Sequence, residues 1–176
     1  MTSPPQTPAS TAGGTHRQVE LTRTGPKRLR ATNVRGGTLD LSSGDDGDPD
    51  FTPVELLLVA LAGCSAIDIE SITGKRSDPT RFDVTAGAEK VRDGDGNHLT
   101  DITLDFDVAF PDTEGGAKAE SVLRRAVEMS HDRLCTVSRT VELGTPVRPR
   151  LRGEDVGGSD DAGQGGEQGR GSTGAS

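Results

Sequence analysis

The stretch Thr52-Pro53-Val54-Glu55-Leu56-Leu57-Leu58-Val59-Ala60-Leu61-Ala62-Gly63-Cys64 decides how the rest of the chain is read. It opens as a helix start. Thr52 is the N-cap, Pro53 takes the first helical position and Glu55 stands three residues after the cap, a capping box. The pattern predicts a helix from Pro53 to about Thr73, with Gly74 as its stop. At ~1.5 Å per residue that helix is about 30 Å long. Its first half is apolar on every side, so protein has to enclose it all round. A single domain of this size rarely encloses so long a helix alone, and a second copy of the chain is expected to supply part of the covering.

Upstream, Val19 and Leu21 alternate with polar residues before a turn at Thr24-Gly25-Pro26. Leu29 and Ala31, then Leu39 and Leu41, mark two more short strands on either side of Asn33-Val34-Arg35-Gly36-Gly37. Residues 42–50 form an acidic loop with Asp45, Asp46, Asp48 and Asp50, read as solvated rather than cation-binding. Downstream, residues 82–92 read as a strand and Asp93-Gly94-Asp95-Gly96-Asn97 as a turn. Ile102, Leu104, Phe106, Val108 and Phe110 alternate as a strand with one buried face. Asp93, Asp95 and Asn97 mimic a calcium loop, but His98 and Leu104 stand where it needs Gly and a bidentate Glu. The hairpin is the reading that remains. Ala119, Val122, Leu123, Ala126 and Val127 give helical spacing over about 114–129. Residues 130–135 break that period, 135–139 form a short helical turn, and 140–147 are expected as a last strand. Three strands, a long helix, a hairpin, a helix and a strand make an α+β fold with a mostly antiparallel sheet.

Composition sets the outer limits. Of 176 residues, 30% are hydrophobic and 2% aromatic, while Gly numbers 24 and Pro 10, a mixture that fits a globular domain poorly until the ends are removed. Residues 1–17 and the Gly-rich acidic tail 152–176 are expected to be disordered, leaving a domain over 18–151. The net charge of −8, with no basic run, argues against nucleic acid as a partner. The longest uncharged apolar run, residues 56–67, falls short of the ~20 residues that span a bilayer. No export signal is legible at residues 1–16, so a cytoplasmic location is expected, where a structural disulfide is unusual. Two thiols this far apart in sequence do not make a zinc site, which draws on four ligands. Neither a metal nor a cofactor is expected.

The two cysteines, Cys64 and Cys135, are the first candidates for chemistry. On an apolar helix Cys64 is either an inert packing residue with a raised pKa or, if a cation reaches it, a reactive thiolate. Cys135 follows a polar turn and opens a helical segment, which lowers a thiol's pKa. His131 stands four residues earlier and can pair with it. Equally, Ser130, His131 and Asp132 can simply cap backbone groups.

The segment Pro53-x-Glu55-Leu56-Leu57-Leu58-x-Ala60-Leu61-x-Gly63-Cys64-Ser65 resembles the first-cysteine helix of the OsmC/Ohr proteins. Cys135-Thr136-Val137-Ser138-Arg139 resembles their second motif, with Thr136 where proline is usual. The resemblance covers about residues 18–147 and favours the branch with Pro-x-Glu-Leu-Leu-Leu. It implies an intertwined homodimer with sheets wrapped on two long helices. It also implies reduction of organic, including lipid, hydroperoxides by a dithiol–disulfide cycle, with Cys64 attacking peroxide, Cys135 resolving and an external dithiol as reductant.

The family also places an Arg beside the first cysteine and a Glu that orients it. Arg35 is the best match for the Arg, with Arg28 and Arg30 as rivals. The usual Glu position, ten residues before the cysteine, is Val54. Glu55 is the neighbour, but on a regular helix it faces away from Cys64 and lies about 13.5 Å along the axis. It reads as the capping residue or as a group acting through the partner chain. Asp68, one turn after Cys64, is the other possible orienting carboxylate; left unpaired it raises the thiol pKa. The alternative function is a non-peroxidatic member of the fold that binds a hydrophobic small molecule at the dimer interface.

Overall fold

Helix α1, Pro53–Thr73, begins as the sequence predicts. In the computed structural model, which describes residues 16–45 and 47–156, the Thr52 amide and hydroxyl donate to Glu55 Oε2 at 2.7 and 2.9 Å. The Glu55 amide donates back to Thr52 Oγ1 at 3.2 Å. The capping box is complete, and the Thr52 amide and hydroxyl hold the Glu55 carboxyl below its usual range.

Strands β1 (Val19–Gly25), β2 (Arg28–Asn33) and β3 (Thr38–Ser42) form an antiparallel meander. Its register places Leu21, Ala31 and Leu39 in one row across the sheet. Strands β4 (Arg81–Asp93) and β5 (Gly96–Ala109) form a long hairpin. At its tip Asp93 accepts from the Asp95 amide (2.9 Å), and Gly96 takes a positive φ of 105° that favours glycine. The expected single sheet is thus several separate ladders among the described residues, and one parallel bridge links Leu41 of β3 to Phe51, just before α1.

Helix α2, Glu114–Met129, packs on α1. Leu61, Ser65, Ile69 and Thr73 are buried at four-residue spacing on α1, and Ala119 and Ala126 are buried on α2. The small alanines permit close approach, and Gly115 and Gly116 admit the chain at the helix start. A Cβ on Gly115 would sit 2.8 Å from the Arg76 carbonyl oxygen, and one on Gly116 would overlap the Pro111 carbonyl oxygen.

The expected break in helical period is present, and the expected last strand is not. The break in period after Met129 is one π-helical turn, Ser130–Leu134, with the Cys135 amide donating to Ser130 O at 2.9 Å. The strand expected over 140–147 does not form. Instead α3 runs Thr136–Glu142 and ends at Gly144, whose φ is 60°. Pro146 then denies the segment a ladder donor, and α3 takes up its first residues.

The chain divides into two units, Met1–Arg139 and Thr140–Ser176. The described part of the second holds a minimal hairpin, β6 (Arg150–Leu151) with β7 (Glu154–Asp155). Arg152 and Gly153 turn this hairpin, and Arg150 pairs with Asp155 at 2.8 Å. Residues 1–15 and 157–176 lie outside the described residues.

Much apolar surface is uncovered in the single chain. On α1, Ile67 is 66% and Val59 50% exposed, with Val54 and Leu57 also open. Leu21 is 52% exposed on the β1–β3 face, beside an open Leu39. By length and composition α1 is also long and apolar enough to cross a membrane. Glu55, Asp68 and Glu70 bound the uncharged run without ending the helix.

Candidate functional site

The packing of α1 on α2 and its π-helical extension brings together residues from distant parts of the chain. One ligand atom each of Cys64, Asp68 and Cys135 lies within 4.8 Å of the others. Cys64 and Asp68 share a face of α1 at i, i+4. The π turn delivers Cys135 to that face, where it is fully buried at 0% exposure. Both cysteines are free thiols, and Cys64 is half-buried. The two sulfurs lie within 4.8 Å of each other and are not bonded.

Three serines complete the surroundings. The Ser138 amide and hydroxyl donate to Cys135 Sγ at 3.4 and 3.2 Å. The Ser65 hydroxyl faces the same sulfur. The Ser130 hydroxyl donates to Asp68 Oδ2 at 3.0 Å. Ser65, Ser130 and Ser138 are all buried. Sequence reasoning had Ser138 only as part of a motif and Ser130 only as a cap. The signal for Ser138 was present: a residue three positions after a helix-opening side chain is placed for N-terminal capping.

The two thiols are driven in opposite directions. Burial pushes the Cys64 thiol up; the amides of Val137 and Thr136 oppose this, and the Cys135 sulfur adds to it. Burial acts to raise Cys135 too, but the donors from Ser138, Ser65 and Cys64 outweigh it and hold that thiol below its ordinary value. His131, expected as a possible partner of Cys135, is exposed and is not among the groups that shift it.

The other expected residues fall elsewhere. Glu55 is engaged in the helix cap. No arginine is among the groups that shift Cys64. Arg35 lies in the exposed β2–β3 turn, where its amide donates to Asn33 Oδ1 at 2.9 Å. Its rivals are committed to carboxylates: Arg28 to Asp48 and Asp50, both at 2.6 Å, and Arg30 in a bidentate pair with Asp40 at 2.7 and 2.8 Å.

An α+β chain that sets two free thiols side by side between a long apolar helix and the end of a second one belongs to a narrow structural class. The model of the OsmC-like protein family matches residues 44–150, and the chain belongs to that family. It is 33% identical over 141 residues to Rv2923c, an uncharacterized protein of Mycobacterium tuberculosis, covering 80% of this chain and 98% of the relative. It is 36% identical over 108 residues to YhfA of Escherichia coli, covering 61% and 76%. Among solved structures it is similar to an OsmC-like protein of unknown function, VCA0330 from Vibrio cholerae. That match has a TM-score of 0.61 at 17% identity over 73% of this chain and 95% of the other, and it bears on the fold alone.

Proposed function

We propose that this protein is a thiol-dependent peroxidase that reduces organic hydroperoxides, lipid hydroperoxides among them, through a Cys64/Cys135 dithiol–disulfide cycle. The observation that carries the reading is the approach of the two sulfurs within 4.8 Å. Cys64 as thiolate attacks the O–O bond, giving a sulfenic acid and, with one proton, the alcohol. The Cys135 thiol condenses with the sulfenic acid, releases water and forms the disulfide. An external dithiol in a reducing compartment such as the cytoplasm restores both thiols.

A homodimer completes the site in this reading. The open face of α1 and the Leu21-Ala31-Leu39 row are apolar surfaces that a second copy covers. A bilayer serves α1 poorly, because α2, packed on it, carries Glu114, Lys118, Glu120, Arg124 and Glu128, whose charges would be drawn toward the lipid. Arg35, with no ion pair among the described residues, is the cation that stabilises the Cys64 thiolate across the dimer. In the same reading Asp68, beside Cys64 on α1, is the carboxylate that orients it.

The test is to reduce the protein, add cumene hydroperoxide or hydrogen peroxide, and follow free thiols and intact mass over seconds. Rapid loss of both thiols with a drop of about two daltons, abolished in Cys64→Ser, supports the cycle. Thiols that survive near-equimolar peroxide for many minutes refute it. They would favour the second reading, an interface that binds a hydrophobic small molecule, for which the raised Cys64 thiol is the specific support.

A further inference from the structure

We propose that Cys64 Sγ, Cys135 Sγ and an Asp68 carboxylate oxygen form a binding site for a thiophilic divalent cation, zinc foremost, in the reduced protein. In sequence the two thiols are far apart and suggest no metal site. The fold adds Asp68 and removes the distance.

The geometry needs little adjustment. Tetrahedral zinc with ~2.3 Å Zn–S bonds holds two sulfurs about 3.8 Å apart, and the three ligand atoms already lie within 4.8 Å. Two thiolates and a carboxylate match the preference of zinc for sulfur with one harder ligand. The outer groups are in place as well. Ser130 donates to Asp68 Oδ2, and the Ser138 amide and hydroxyl donate to Cys135 Sγ, so one carboxylate and one sulfur are oriented before any ion arrives. Cys64 is half-buried, which leaves a path for entry and a fourth position for water.

Binding is not a redox step. Two thiols release their protons to solvent, the hydrated ion sheds all but one of its waters as it becomes tetrahedral, and two S–metal bonds and one O–metal bond form. A Cys64–Cys135 disulfide removes both thiolates, so metal and disulfide exclude each other. The site is specific to the reduced state and shields the thiols from oxidants while it is filled. This inference rests on the three-ligand geometry and stands apart from the peroxidase reading.

The test uses the full-length chain. The reduced protein is titrated with zinc against a chromophoric chelator, and cobalt(II) is added separately as a spectroscopic probe. The expected result is one zinc per chain and the intense visible bands of tetrahedral thiolate-bound cobalt. Both should be lost after diamide oxidation and in Cys64→Ser and Cys135→Ser. Asp68→Asn should weaken zinc binding at least tenfold, and Ser130→Ala about tenfold. Equal zinc uptake by reduced and oxidised protein, a cobalt spectrum without tetrahedral thiolate bands, or a folded Asp68→Asn that binds as tightly as the parent overturns the proposal. Hydroperoxide-reactive thiols without zinc uptake overturn the metal site alone; zinc uptake with inert thiols overturns the peroxidase alone.

Discussion

Replacing Ile67 with Asp should break the dimer while leaving the folded chain intact. Ile67 is 66% exposed in the single chain, so the substitution removes little that one chain buries. If a second copy covers it, the covering contributes about two-thirds of the 1.5–3 kcal/mol of a fully buried aliphatic side chain, or about 1–2 kcal/mol. A two-fold axis presents the position twice, making the loss about 2–4 kcal/mol before the cost of desolvating two carboxylates. At 1.4 kcal/mol per factor of ten, dimer affinity should fall by roughly 30-fold to 1,000-fold. Val59, 50% exposed one helical stretch earlier, should show the same direction at about three-quarters of the size. Sedimentation equilibrium over a concentration series measures both constants, and far-UV circular dichroism with a urea melt checks that the chains stay folded. A wild-type protein that is monomeric at tens of micromolar refutes the reasoning. So does an Ile67→Asp dimer constant within threefold of the parent.

Further outcomes follow from other contacts. Thr52→Ala removes the cap of α1 and should cost about 0.5–2 kcal/mol in urea unfolding. The Glu55 carboxyl is held below its usual range, so its contribution is present above the ordinary carboxylate pKa and lost as pH falls through the lowered value. Acid unfolding of Glu55→Gln should show a smaller pH dependence in that window than the parent. Gly116→Ala drives a methyl into the Pro111 carbonyl and should destabilise by about 1–3 kcal/mol with an unchanged m-value. Arg35→Ala should slow hydroperoxide-driven thiol loss at least tenfold, whereas Arg30→Ala, whose guanidinium is paired with Asp40, should leave the rate within twofold; equal rates for parent and Arg35→Ala remove Arg35 from the site.

What the sequence by itself determined is local and periodic. The cap Thr52-Pro53-Val54-Glu55 is made within four residues, so its hydrogen bonds were legible before any fold was known. The stop at Gly74, the Asp93–Asn97 turn and the α2 span were legible for the same reason. Strict alternation from Ile102 to Phe110 marked β5 because one face of that strand is covered. The all-round apolar character of α1 pointed to a covering that one chain does not supply, and the exposed Val59 and Ile67 agree with it. Local reading failed where neighbouring signals conflict. Residues 140–147 are expected as a strand, but helix continuation from Thr136 and Pro146 settle the segment otherwise. Tertiary structure alone decided the site. Whether Cys64, Asp68 and Cys135 meet depends on how α1 packs on α2 and on the one π turn that shifts Cys135 onto α1. No spacing within the chain encodes the separation of two atoms on different helices. Packing sets that distance, and with it the opposite pull on the two thiols and the serines that steady Asp68 and Cys135.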